Sequence, residues 1–169
     1  MKIIIFDDDP TGSQTVYDCP LLLSWDEESL EKAFNHPSQL IFILANTRSL
    51  SSALANKKIK EISLSLKNFF SKNGYSKDDY FFISRGDSTL RGHGVSEPAT
   101  ISNELGPFHA TFHIPAFLEG GRTTEKGIHY LNGVPVHCTD FGRDSIFGFS
   151  TSDLAKWIEE KSFGKIQAE

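Results

Sequence analysis

Three stretches of this 169-residue chain concentrate the side chains that could do chemistry. Asp7-Asp8-Asp9-Pro10-Thr11-Gly12 offers carboxylates, a hydroxyl and a glycine turn. Asp87-Ser88-Thr89-Leu90-Arg91-Gly92-His93 sets a carboxylate, two hydroxyls and a guanidinium close together. Glu119-Gly120-Gly121-Arg122-Thr123-Thr124 adds two glycines, an arginine and two more hydroxyls. Carboxylates accept hydrogen bonds from the hydroxyls of a polyol, and a guanidinium forks onto a carboxylate. The Asp-x-Asp-x-Thr pattern suits a polyol or a divalent ion, and Thr11 and Gly12 are placed to turn backbone N–H groups toward an anion. Taken together, the second stretch fits a polyhydroxylated anion.

Each stretch also has a plainer explanation. Acidic residues cap whatever follows them, but three adjacent aspartates repel one another and capping accounts for only one. Asp87 could be a cap with Arg91 on the surface, and Gly120-Gly121 could be no more than a turn. The Gly-x-x-x-x-Gly-Lys-Ser/Thr pattern of a P-loop is missing. Arg122 beside that turn is positioned to meet a carboxylate or phosphate. Phe141-Gly142-Arg143-Asp144 supplies a further Arg–Asp pair, either a local salt bridge or the rim of a site. Glu97 is either a general acid/base or a solvent-facing residue. His93, His109, His113, His129 and His137 are scattered without ligand spacing, which argues against zinc. Asp7-x-Asp9 after an apolar strand also resembles the first motif of haloacid-dehalogenase-like phosphatases, in which the first Asp is the nucleophile. That chemistry needs a lysine and a later acidic pair, whereas Gly86-Asp87 is followed by Arg91.

The elements that must position these residues are legible from the pattern. Lys2–Phe6 and Leu40–Ala45 read as buried strands, Tyr80–Ser84 as another, and Pro20–Trp25 as a short apolar run. Leu40–Ala45 also empties into a polar exit, Asn46-Thr47-Arg48-Ser49. Between Ser52 and Lys72, Ile59, Ile62, Leu66, Phe69 and Phe70 form an amphipathic stripe that Asn73-Gly74 stops. A helix is expected at Ser29–Asn35, entered from Asp26, and another at Glu97–Leu105. Ala110–Ile114 reads as a strand, and Asn132-Gly133 as the turn of a hairpin whose second arm, with Pro135, lies at an edge. Ser152 or Thr151 is expected to cap a last helix over Asp153–Lys161. The fold class this predicts is α/β: a Rossmann-like three-layer α/β/α domain with a mainly parallel sheet and a small β-hairpin. In such sheets ligands settle beyond the carboxyl ends of the strands, where all three stretches are expected, the third after the run Thr111–Pro115.

Composition narrows the partners. A net charge of −5 argues against nucleic acid, which needs a basic stripe. No apolar run reaches the ~18–20 residues that cross a bilayer, so no membrane is expected and a cytoplasmic location is the default. Cys19 and Cys138 have no close spacing and read as free thiols. Gly164 to Glu169 reads as the start of a linker, so the expected domain is 1–163, with 164–169 leading out of it.

The motifs resemble, in order and spacing, the N-terminal sugar-binding domain of the four-carbon acid sugar kinase family. The resemblance is carried by Asp8-Asp9-Pro10-Thr11-Gly12, Asp87 to His93 with Glu97, Pro115-Ala116-Phe117, Glu119 to Thr123, Gly127 to Pro135, Phe141 and Arg143-Asp144, and it covers nearly the whole chain. It implies ATP-dependent phosphorylation of a small acid sugar of the threonate, erythronate or 3-oxo-tetronate type. ATP and Mg2+ would come through a C-terminal nucleotide-binding domain that this sequence lacks, supplied by more chain or by a separate C-terminal-half polypeptide; a homodimer is compatible with this. Without that half the chain is expected to bind the acid sugar and turn over nothing; a stand-alone acid-sugar-binding module is the other option. The resemblance makes Asp8, Asp9, Asp87 and Arg91 contacts for the polyol and its carboxylate, and the Gly120–Thr123 turn part of the cleft wall. The expected substrate-binding set is Asp8, Asp9, Thr11, Gly12, Asp87, Ser88, Arg91, Gly120, Gly121 and Arg122. Asp9 and Asp87 are the candidates for orienting or deprotonating the acceptor hydroxyl. The chain departs from the family at Asp7, where many members have a small residue.

Overall fold

The computed structural model describes residues 1–168, which divide into two compact units, Met1–Arg85 with Glu97–Phe108, and Gly86–Ser96 with the described residues from His109 on. In the first, β1 (Lys2–Asp7), β2 (Leu21–Leu22), β3 (Leu40–Leu44) and β4 (Tyr80–Arg85) form a parallel sheet in the order β2-β3-β1-β4. The unbroken apolar runs Ile3-Ile4-Ile5-Phe6 and Leu40-Ile41-Phe42-Ile43-Leu44 occupy the two central positions, as strands buried on both faces must. The register sets Asp7 beside Leu44 on one side and Arg85 on the other, so three strands end level.

Helices α1 (Glu27–Asn35), α2 (Ser52–Asn73) and α3 (Ser96–Leu105) cover the face carrying Ile4, Phe6, Ile41 and Ile43. Asp26 caps α1 by accepting from the Ser29 N–H at 2.9 Å, and α2 ends where Gly74 takes φ +72°, the left-handed conformation a side chain would resist. The α2 stripe lands in the core through Ile59, Ile62, Leu66, Phe69 and Phe70. The α/β class and parallel sheet are those expected; within this unit the helices make one layer, and on the other face Phe81 and Ile83 are exposed.

The second unit holds a small antiparallel sheet, β5 (Arg122–Glu125), β6 (Ile128–Leu131) and β7 (Val134–Pro135), followed by α4 (Leu154–Lys161). Asn132 and Gly133 turn the expected hairpin, both with positive φ. The core is Leu90, Val95, Val136, Phe149 and Trp157.

Three details differ from expectation. Ala110–Ile114 is not a strand: its alternation is β-like, but it joins no ladder, and Phe112 and Ile114 are exposed. Arg122–Thr124, expected as a loop, is strand instead, because its backbone pairs with Leu131 to His129 despite polar side chains. The cap of α4 is Asp153, which accepts from the N–H groups of Ala155 and Lys156, while the Thr151 hydroxyl oxygen accepts from the Asp153 N–H.

Candidate functional site

At the carboxyl end of the parallel sheet, backbone hydrogen bonds knit the strand exits together. The Asp7 carbonyl accepts from Ala45 and Asn46, the Asp8 carbonyl from Arg48, and the Arg85 carbonyl from Asp8. This brings Arg48, after β3, onto the carboxylates after β1. Its guanidinium holds Asp8 with two bonds, Nε to Oδ2 at 2.9 Å and Nη2 to Oδ1 at 2.7 Å, and reaches Asp9 Oδ2 through Nη1 at 3.0 Å. Asp8 is buried and Asp9 partly exposed. Burial pushes the Asp9 carboxyl up, but hydrogen bonds from the Thr11 hydroxyl and N–H, with the Arg48 and Arg85 charges, outweigh it and hold the group below the usual carboxylate range. The Thr11 N–H is thus spent on Asp9 at 2.7 Å, and the Gly12 N–H on the Asp9 carbonyl, rather than turned toward an anion.

Asp7 faces the other way. It is fully buried, its Oδ1 accepts from Arg85 Nη1 at 3.1 Å, and burial raises its pKa despite that partner. A Cβ at Gly12 would overlap both this carboxylate and the Arg85 guanidinium, so glycine there is what lets the loop close over the pair. Glu97, from α3, is buried beside the Thr47 and Ser84 hydroxyls, near Asp8 and Arg48. Burial pushes its carboxyl up to about 7 against those hydrogen bonds.

In the second unit the loop after β4 forms its own cluster. Asp87 accepts from the Thr89 N–H at 3.1 Å and hydroxyl at 2.5 Å, and Arg91 Nε donates to Asp87 Oδ2 at 2.7 Å. Burial raises the Asp87 pKa, but Thr89 and Arg91 together hold it below the ordinary value. Arg91 also lies 3.9 Å from Asp144 and stacks over the Phe141 ring at 4.7 Å. Arg122 approaches that same ring at 6.0 Å and Phe117 at 5.4 Å. Among the described residues Arg122 has no ion pair, and its buried Nε has no hydrogen-bond partner. The loop is anchored by His129, which is fully buried: Nε2 donates to the Ser88 carbonyl at 2.7 Å, which leaves Nδ1 to accept from the Thr124 hydroxyl at 2.8 Å. Burial lowers the His129 pKa and keeps this neutral tautomer.

The comparison with known families is decisive at this point: the profile of a sugar-binding N-terminal domain matches residues 3–169. The chain belongs to that family. It is the family its motifs resemble, formerly a domain of unknown function. Two solved structures share the fold. A domain-of-unknown-function protein from Bordetella bronchiseptica, crystallised as a domain-swapped dimer with bound citrate, is 22% identical with a TM-score of 0.71 over 93% of this chain and 40% of its own. A protein from Haemophilus influenzae is 17% identical with a TM-score of 0.64 over 94% of this chain and 38% of its own. This domain therefore spans about two fifths of the length of these structures. No curated protein matches it.

Within this sugar-binding domain the expected residues fall into two groups. Asp8, Asp9, Thr11 and Gly12 gather in the first unit; Asp87, Ser88, Arg91 and Arg122 gather in the second. Gly120 and Gly121 pack tightly, since a Cβ on the first would strike Arg122 and Phe117 and on the second Asn132. Of the two readings of Arg143-Asp144, the local salt bridge does not form: Arg143 binds Asp140 at 2.7 Å, while Asp144 accepts from the N–H groups of Ile146 and Phe147 and lies at the edge of the second cluster, 3.9 Å from Arg91. Sequence reasoning left Arg48, Thr47, Phe141 and His129 out of the site. Arg48 had a usable signal, since it leaves a strand adjacent to β1; Phe141 and His129 lay within the stretches that carry the family resemblance but were given no role. Among the described residues no three His, Cys, Asp or Glu side chains come together as a metal site would require, and no helix is long and apolar enough to cross a membrane.

Proposed function

We propose that this domain is the acceptor-binding half of an ATP-dependent, cytoplasmic kinase that phosphorylates a four-carbon acid sugar, with the nucleotide carried by a domain outside the present chain. The observation that carries the reading is the Phe141 ring shared by two guanidinium groups, of which Arg91 is paired and Arg122 is not. An unpaired guanidinium, held by an aromatic face and short of an acceptor, is a receptor for a carboxylate. The citrate bound by the Bordetella relative, itself a small hydroxy-acid, supports the same ligand class. The greater length of the relatives supports a second half.

The residues divide the work by chemistry. Arg122, with Arg91 beside it, takes the ligand carboxylate. In the second unit Asp87, held ionised, accepts from ligand hydroxyls; in the first, Asp9, also held ionised, is an acceptor for hydroxyls. ATP with Mg2+, when bound by its own domain, supplies the phosphoryl group. Carboxylates held below the ordinary range are weak bases, so their part is to orient the acceptor hydroxyl, which is most of what phosphoryl transfer asks of a protein. The phosphatase alternative is disfavoured by Asp7: its carboxyl is wholly buried against Arg85 and Gly12, where no phosphate ester reaches it.

Isothermal titration of this chain with D-threonate, D-erythronate and a 3-oxo-tetronate tests the reading. At least one should bind, Arg122→Met should weaken it by about tenfold or more, and ATP with Mg2+ should leave the melting temperature unchanged. Absence of binding for all three overturns it.

A further inference from the structure

Beneath the Asp8–Arg48–Asp9 cluster lies a carboxyl that the proposed function does not use. Glu97 is 2% exposed, its Oε2 accepts from the Ser84 hydroxyl at 3.5 Å, and its Oε1 is buried with no hydrogen-bond partner. The Thr47 hydroxyl beside it is also buried and lacks a partner in full hydrogen-bond geometry. The groups that act on its ionisation come from three strand exits: Asp8 after β1, Thr47 and Arg48 after β3, and Ser84 on β4. Of these groups Asp8 and Arg48 are charged.

We infer that Glu97 is a positioning residue that must be protonated for the Asp8–Arg48–Asp9 cluster to keep the geometry that receives ligand hydroxyls. The charge balance gives the reason. Arg48 is shared between two carboxylates by three hydrogen bonds, and with Arg85, which acts on Asp7 and Asp9, it sets two positive charges against three adjoining aspartates. Glu97 ionised as a further carboxylate beside them competes for Arg48 and repels Asp8. A buried acid with an unpartnered oxygen is cheaper to hold neutral than charged, and burial raises its pKa accordingly. Near neutral pH the cluster therefore gains or loses a negative charge by one proton, and a ligand that is itself an anion favours the protonated form.

The inference rests on the acid-sugar reading for its functional consequence but not for its geometry, and the test separates the two. Carboxyl 13C NMR of the intact chain should show Glu97 titrating near 7, with the Arg48 Nε–H resonance moving in step. D-threonate affinity should fall about tenfold from about pH 6 to about pH 8. Glu97→Gln, which keeps the shape and cannot ionise, should flatten that profile at the high-affinity level, whereas Glu97→Asp should keep a pH dependence. Glu97 titrating below about 5.5, or a Glu97→Gln profile as steep as the parent's, overturns the inference. If D-threonate binds at no pH, its part in ligand binding fails with the acid-sugar reading, and the Arg48 resonance decides the geometric part: following Glu97 supports it, ignoring Glu97 ends it. Should Glu97→Gln not fold, the titration of the unmodified chain gives the same decision.

Discussion

The two carboxylate–guanidinium clusters are built from the same residue types and held by different physics. Around Asp8 and Arg48 the backbone does the positioning: three parallel strands end level, and their carbonyls and amides fix where each side chain starts. Around Asp87 and Arg91 the positioning comes from side chains, a buried histidine under Ser88 and an aromatic ring under two arginines. In the first cluster Asp8 is buried and Arg48 is claimed by two carboxylates. In the second, Arg91 reaches both Asp87 and Asp144, and among the described residues Arg122 has no ion pair. A ladder-built cluster suits a fixed set of acceptors for hydroxyls, and a loop-built one with an unpaired guanidinium suits an anion.

The comparison breaks most visibly at Arg48. Arg48→Ala removes two hydrogen bonds from the buried Asp8 and one from Asp9 and should destabilise the chain by about 3–5 kcal/mol in urea denaturation. Arg122, whose guanidinium has no ion pair to lose, should by contrast cost less than about 1 kcal/mol of stability on conversion to methionine, which keeps much of its apolar stem. Equal losses at the two positions would mean that the clusters do not differ as described.

A second contrast is in pH. Glu97 has a folded pKa raised from 4.5 to about 7, so its contribution to stability is fully present below about 4.5 and lost as pH rises through about 7, a span worth about 3 kcal/mol. His129 has a folded pKa lowered from 6.5 by burial, so its contribution is present above about 6.5 and lost as pH falls below it. The two tryptophans report separately, Trp25 packing on the first core and Trp157 within the second. Unfolding read at Trp25 in a Trp157→Phe background should weaken from about pH 5 to about pH 8, and Glu97→Gln should remove the trend. Unfolding read at Trp157 in a Trp25→Phe background should weaken in the opposite direction, and Glu97→Gln should leave it alone. A common pH trend at both reporters would dissolve the contrast.

How much of this was legible in the sequence follows the same division. Strands β1 and β3 and helix α2 announce themselves because burial on both faces, or on one stripe, writes itself into consecutive residues. The aspartates after β1 and the Asp87–Arg91 pair were found because they are local. Arg48 was passed over because its link to Asp8 is made by strand adjacency, at a separation of 40 residues. Ala110–Ile114 misled because alternation records β propensity while a strand also needs a partner's backbone, and Arg122–Glu125 was hidden because its pairing with β6 does not depend on apolar side chains. His129 could not be read as an anchor, since nothing near it in sequence indicates that Ser88 will lie against its ring.

Phe141-Gly142-Arg143-Asp144 sharpens the comparison at the smallest scale, because sequence proximity and geometry disagree there. Arg143 is two residues from the ring that organises the second cluster, yet it is exposed and spans three residues to the fully exposed Asp140. Such a pair gains little in water and is screened by salt, so Arg143→Ala should change stability by no more than about 0.5 kcal/mol and leave D-threonate affinity unchanged. Arg91, fifty residues away in sequence from the same ring, stacks on it and shares a mostly buried oxygen of Asp87. Its replacement by alanine should cost more on both readouts, because it strips the partner from a carboxylate that is itself poorly solvated. A larger affinity loss for Arg143→Ala than for Arg91→Ala would show that the anion is received on the outer side of Phe141, and would move the second cluster's function from Arg91 and Arg122 to the loop that carries Asp140 and Arg143.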